Sequence, residues 1–195
     1  RAYARVIASC ANPAQSPATT MMPKSTAPGR APDPHTRGME RSNMATLHEI
    51  SIPVFIRHLN GLIGCMKKTQ ATYGEKKCDE TTLIHYRFYP DMFSFARQVQ
   101  MATHHTVNFA APLAGVDPLK LEDSEKSLAD LIARCEKTNQ WLQTIKPDQL
   151  NGAEQKSVTI KRPTGDVQMK GLDLLLNRTM PNFMFHCTTA YDIMR

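Results

Sequence analysis

Between Thr46 and Thr72 apolar side chains return every three or four positions: Leu47, Ile50, Val54, Phe55, Leu59, Leu62, Ile63 and Met66. That period marks one buried face of a helix. It predicts a first helix over 46–72, with Pro53 kinking or ending its first turn and Gly74 as the stop. In the connection 75–89, Asp79 is placed to cap a short helix running to His85. A second stripe follows: Met92, Ala96, Val99, Thr103, Val107, Ala110 and Ala114. Pro90-Asp91 suits a helix start, and Gly115 suits its end. A third helix is predicted from Asp123-Ser124, with Leu128, Leu131, Ile132, Cys135, Trp141, Leu142 and Ile145 on its inner face and Pro147 beyond it. As part of that face, Trp141 is expected to be buried with its indole N–H hydrogen-bonded. The period then changes to two. Residues 157–161 and 167–169 flank a Gly-containing turn at 163–166 and predict a β-hairpin. A fourth helix spans about Leu172 to Arg195, and Pro181 is expected to kink or split it.

Four amphipathic helices with short connections bury one shared core as an up-down bundle. The fold class is therefore all-α, with the hairpin between helices three and four, and 44–195 is the folded domain. The helical pattern still runs at Arg195, which points to a C-terminal truncation. Residues 1–43 read differently. Prolines fall at 13, 17, 23, 28, 32 and 34, and no amphipathic period survives. That composition cannot offset the entropy of ordering, so a disordered, dispensable extension is expected. Arg-rich, Ser/Thr-rich and acid-poor, it is compatible with a mitochondrial transit peptide. The simpler reading is extraneous sequence ahead of a natural start at Met44, with a cytoplasmic protein behind it.

The formal net charge of +6 lies mostly in that extension, which carries +4 and leaves +2 for 44–195. A domain so nearly neutral has no basic footprint for nucleic acid. No apolar run approaches the ~20 residues that span a bilayer. The five cysteines, Cys10, Cys65, Cys78, Cys135 and Cys187, are scattered without a paired spacing and read as free thiols of a reducing compartment. Cys65, Cys135 and Cys187 fall on apolar helix faces, where a thiol packs as a small hydrophobe.

Candidate chemistry concentrates in Pro181–Arg195, PNFMFHCTTAYDIMR. Asn182 and His186 lie one turn apart on one face, which continues through Thr189 and Ile193. His186 sits among apolar residues, so desolvation should keep its ring neutral, able to accept a proton or bind a metal. The plain alternative is a buried histidine bonded to a backbone carbonyl or to Asn182. In the second helix His104 lies at the edge of the apolar stripe near Phe93, Arg97 and Gln100, while His105 points almost opposite the stripe and is expected to face water. The plain reading of His104 is a boundary residue with one hydrogen bond. His48, His58 and His85 stand singly. There is no HExxH, GxSxG, P-loop or GxGxxG.

Three blocks carry a resemblance: PDMFSFARQVQMAT (Pro90–Thr103), APLAGV (Ala111–Val116) and PNFMFHCTTAY (Pro181–Tyr191). They resemble the signature blocks of a small family of unknown function from bacteria and fungi, itself similar to the DinB/YfiT-like superfamily of four-helix bundles. The resemblance covers about 44–195. It implies the DinB-like fold, and members that continue past Arg195 with a further histidine. Metal-binding DinB-like proteins hold a divalent ion with one histidine from helix two and an HxxxH pair from the last helix. Carried onto this chain, the resemblance implies His104, Asn182 and His186 as the metal set, with zinc or nickel as the ion. Asn182 stands where a histidine would be, which weakens the ligand set and leaves a metal-free member equally consistent. The function implied is a metal-dependent or thiol-transferase-type enzyme acting on a small molecule, in a homodimer. The alternative is a non-catalytic dimeric binding or stress-response bundle. A helix-turn-helix DNA binder ranks last, because no basic recognition helix is present.

Overall fold

The computed structural model describes residues 45–161 and 165–195. The extension 1–43, the proposed start at Met44 and the first part of the hairpin turn lie outside the described residues.

A turn at Leu47–Ile50 leads into α1, Ile52–Lys76, with Pro53 in its first turn, where a missing N–H costs nothing. Ile52, Phe55, Leu59, Leu62, Ile63 and Met66 form its buried face. The helix passes through Gly74, the expected stop. It ends at Lys77, the one described non-glycine residue in the left-handed region (φ 53°). There the Lys77 and Cys78 amides donate to the Gly74 and Tyr73 carbonyls, closing the last turn. The short helix α2, Glu80–His85, is capped as predicted: the Thr81 amide donates to the Asp79 carboxylate at 2.9 Å.

The second long helix, α3, spans Phe95–Ala114 and begins at Ser94, later than the expected Pro90-Asp91. Residues 89–92 form a separate turn, in which the Met92 amide donates to the Tyr89 carbonyl, and the Phe95 amide is held by the Tyr86 carbonyl. Gly115 (φ 69°) closes the helix onto the Ala111 carbonyl, as read from the sequence. The next helix, α4, spans Leu128–Gln143 and likewise starts later than expected. A reciprocal cap explains the boundary: Ser127 accepts from the Asp130 amide, and Asp130 accepts from the Ser127 amide. Trp141 is only half-buried at the edge of the core, contrary to expectation, because Leu142 and Ile145 take the inner positions.

After a 3-10 turn at Pro147–Leu150 comes the hairpin, β1 Ser157–Ile160 and β2 Val167–Lys170, antiparallel with Ser157 opposite Lys170 and Ile160 opposite Val167. The chain then enters α5, Gly171–Leu174, which widens into a π-helical segment at Leu175–Thr179 and continues as α6, Met180–Met194. Pro181 therefore does not split the last helix. The ring of a proline clashes with the carbonyl four residues back, and the wide turn just before it makes the room. Gly171 sits where a β-carbon would collide with the Ala153 carbonyl and the Leu113 side chain.

The four long segments close a ring. α1 packs on α4 and α6, and α3 packs on the same two. This is the four-helix arrangement the pattern predicts. At its centre the Phe55 ring meets the edges or faces of Phe183 and Phe109, with centroids 5.0 and 5.8 Å apart. Among the described residues no helix is long and apolar enough to cross a membrane.

Candidate functional site

Because α3 lies between α4 and α6, it buries two faces. One carries Ala96, Val99, Thr103, Val107 and Ala110; the other carries Gln98, Ala102 and Phe109. His105 continues the second face. It is half-buried and nearly parallel to the His186 ring of α6, with centroids 5.4 Å apart and an interplanar angle of 16°. The expectation that His105 faces water is thus corrected. A helix held on two sides has little free perimeter, so a position opposite one stripe falls into the other packing face.

His186 is 5% exposed and sits at the centre of a ring cluster. Phe93 is also nearly parallel to it, at 6.1 Å and 26°, and Phe185 meets it edge-on at 5.3 Å. Its Nδ1 bonds the Gln98 carboxamide oxygen at 2.7 Å. The Gln98 amide nitrogen donates to the Phe93 carbonyl at 3.2 Å. That second bond fixes which end of the amide is the acceptor, so His186 must donate from Nδ1 and carry its lone pair on Nε2. Burial, then the neighbouring charge of Arg97, pushes the His186 pKa down to about 4. Burial also dominates at His105, with further lowering by His186, Arg178 and His104, to about 3. Both rings are uncharged at neutral pH.

The other expected residues have different partners. His104 turns to Asp123, with Nε2 2.9 Å from the carboxylate, and is partly exposed. The Asn182 amide donates to the Arg178 carbonyl of its own helix. So the structure joins His186 with His105 and Gln98, and commits His104 and Asn182 elsewhere. Among the described residues no three of histidine, cysteine, aspartate and glutamate are grouped to hold a metal ion. The three residues of the expected metal set, His104, Asn182 and His186, are thus engaged with three different partners: Asp123, the Arg178 carbonyl and Gln98.

Asp123 belongs to a polar cluster that ties the 116–127 connection to the bundle. Arg97, His104 and Arg134 all engage its carboxylate. Burial raises the Asp123 pKa, but hydrogen bonds from His104 and Arg97 and their charges outweigh it, and the net shift is downward. Arg134, nearly inaccessible, also pairs with Glu125 at 2.7 Å and donates to Thr103 and to the Glu122 carbonyl.

On its other side His105 borders a cavity of about 530 Å³. Its walls come from α3 (Val107, Ala111, Pro112), the hairpin (Val158, Ile160) and the last helix (Leu174). Sequence reasoning missed this site. The signal available was the second face of α3, Gln98–Ala102–His105–Phe109, spaced at four, three and four residues.

A family model described as a domain of unknown function, DUF1993, matches residues 47–195. The chain belongs to the DUF1993 family. No curated protein matches this DUF1993 chain. Among solved structures it is similar to a DinB family member protein from Shewanella denitrificans, at 29% identity and a TM-score of 0.70, over 76% of this chain and 84% of that one. The DUF1993 bundle is therefore DinB-like, as the signature blocks implied.

Proposed function

We propose that this DUF1993 domain binds a small organic molecule in the cavity between α3, the hairpin and the last helix, with His105 as its uncharged hydrogen-bond acceptor. The observation that carries this reading is the shared wall: His105 contacts the buried, tautomer-fixed His186 on one side and lines the 530 Å³ space on the other. A volume of that order, mostly apolar with a few polar groups, suits a small ligand. The balance favours binding over general-base catalysis. A base works best with a pKa near the operating pH, and His105 at about 3 is far below it. In the enzymatic variant, a transferase of small molecules, the thiol would come with the bound molecule, since no cysteine lines this cavity among the described residues.

The test is a fragment screen by saturation-transfer NMR on the natural chain and on Asn108→Trp. Asn108 is an exposed residue at the cavity rim, so the indole narrows the mouth without touching the core. Fragments that bind the natural chain and lose binding to Asn108→Trp support the proposal. No binders, or binders indifferent to the tryptophan, overturn it.

A further inference from the structure

One wall of the cavity is held differently from the others. α3 and the last helix rest on their own backbone hydrogen bonds, and the hairpin on its ladder. Val116 and Pro118 also line the cavity, and they come from the 116–127 connection. Among the described residues, 117–126 makes no backbone–backbone hydrogen bond. Its leucines, Leu119 and Leu121, are only half-buried. Side chains of α3 and α4 hold it instead. Arg97 and His104 from α3 and Arg134 from α4 converge on the Asp123 carboxylate, the last two at 2.9 and 3.1 Å. Arg134 also donates to the Glu122 carbonyl, and Lys137 reaches the Lys120 carbonyl at 3.5 Å. Arg134 and Glu125 are nearly inaccessible, whereas 34% of the Asp123 side chain is exposed.

Building on the binding reading above, we infer that the 116–127 strap is a gate of the cavity, with Asp123 as its latch. Two points stay fixed. At one end the Val116 amide is bonded to the Ala111 carbonyl, where α3 closes. At the other, Glu125 is bonded to buried Arg134 and to the Gln100 amide, at 2.7 and 2.8 Å. Between them, 117–124 lifts by releasing the Asp123 contacts and the side-chain bonds to the Glu122 and Lys120 carbonyls. No helix or strand bond breaks. Segments with few backbone hydrogen bonds and little buried apolar area open at the lowest cost, so this wall yields first. His104 directly precedes the cavity-lining His105 on α3, so the latch is one residue along the chain from the space it closes. Opening admits a ligand past Val116 and Pro118 and leaves the bundle intact.

A thiol in the cavity wall reads the gate without any ligand. Ala111→Cys places one at a buried, cavity-lining position of α3. Its alkylation by N-ethylmaleimide, a neutral reagent, is followed in the full chain by peptide-resolved mass spectrometry, with Asp123 intact and with Asp123→Asn. Loss of the carboxylate charge is expected to speed alkylation about fivefold or more. With Asp123 intact, about 1 M sodium chloride should speed it too, by screening the same pairs. Natural Cys135, inaccessible in α4, reports global opening and should keep its rate. Glu136→Gln, which removes the ion pair to Lys67 of α1, should change neither thiol. If Ala111→Cys does not fold, Val107→Cys carries the same measurement on the same wall. An engineered thiol that reacts equally fast with and without the Asp123 charge overturns the gate. So does one that reacts as fast as a free cysteine while Asp123 is intact, or one whose acceleration is matched at Cys135. No ligand enters this measurement, so its outcome is independent of the Asn108→Trp fragment screen, which tests the cavity reading.

Discussion

Lowering the pH from 7.5 to 5 should remove about 4 kcal/mol of stability through His105 and His186 alone. Both folded-state pKa values lie below the ordinary 6.5, at about 3 and about 4. A group depressed by folding contributes stability that is fully present above its unfolded pKa and is lost as pH falls toward the folded value. At pH 5 both rings stay neutral in the fold, while in the unfolded chain both take up a proton. That pH is about 1.5 units below the unfolded value, and at roughly 1.4 kcal/mol per unit each ring loses about 2 kcal/mol. Their coupling does not change the sum, because neither is charged in the fold at this pH. The groups that set the effect are the low-dielectric packing first, then Arg97 against His186, and His186, Arg178 and His104 against His105. Urea unfolding followed by far-UV circular dichroism at pH 7.5, 6 and 5 reads the loss directly. For a chain of this length about 4 kcal/mol corresponds to a Tm drop of roughly 8–16 °C. The doubly substituted chain His105→Gln with His186→Gln retains every other histidine and should lose less than about 1 kcal/mol of this pH-linked stability. If the natural and doubly substituted chains show the same pH slope, the buried neutral pair is not real and the reasoning fails.

Arg134→Met should cost about 3–5 kcal/mol, because it removes the cationic partner of Glu125, which keeps only the Gln100 amide, and one of three from Asp123, while leaving both carboxylates in place; chemical denaturation showing less than about 1 kcal/mol would mean the cluster is solvated. Gly171→Ala should destabilise by roughly 1–3 kcal/mol or more, since its methyl group has only the Ala153 backbone and Leu113 to displace; an unchanged urea midpoint would contradict the close approach at the hairpin–helix junction.

Much of the architecture was legible because it rests on local chemistry. Asp79 caps α2, Gly115 ends α3 in the left-handed region, and the change of period at Ser157 marks the hairpin. Helix starts were harder to read. Pro90-Asp91 and Asp123-Ser124 are both good start signals, yet Ser94 and Ser127 begin the helices, because tertiary contacts such as Phe95 to Tyr86 decide between competing caps. The site was legible only in part. His186 was singled out correctly as a buried neutral ring, but its partners Gln98 and His105 come from a face of α3 that one-stripe counting hides. The cavity depends on how the hairpin folds back over α3, which no periodicity encodes.

The wide turn at Leu175–Thr179 has a consequence for the phase of the last helix. Inward positions advance as Gly171, Leu175, Thr179 and Phe183, three successive steps of four, before returning to a step of three at His186. On a regular α-helix each step of four overshoots a full revolution by about 40°, so three in a row would carry the face about a third of the way round. The looser winding absorbs that drift and brings Phe183 and His186 back in line with Leu175. Winding 175–179 as a regular α-helix, with every residue kept, would leave its backbone hydrogen-bonded. It would also turn everything beyond by about 100°, presenting Phe185 and Asn182 to α3 in place of His186 and Phe183. The local irregularity therefore works as a phase setter, determining which side of the C-terminal helix Gln98 meets.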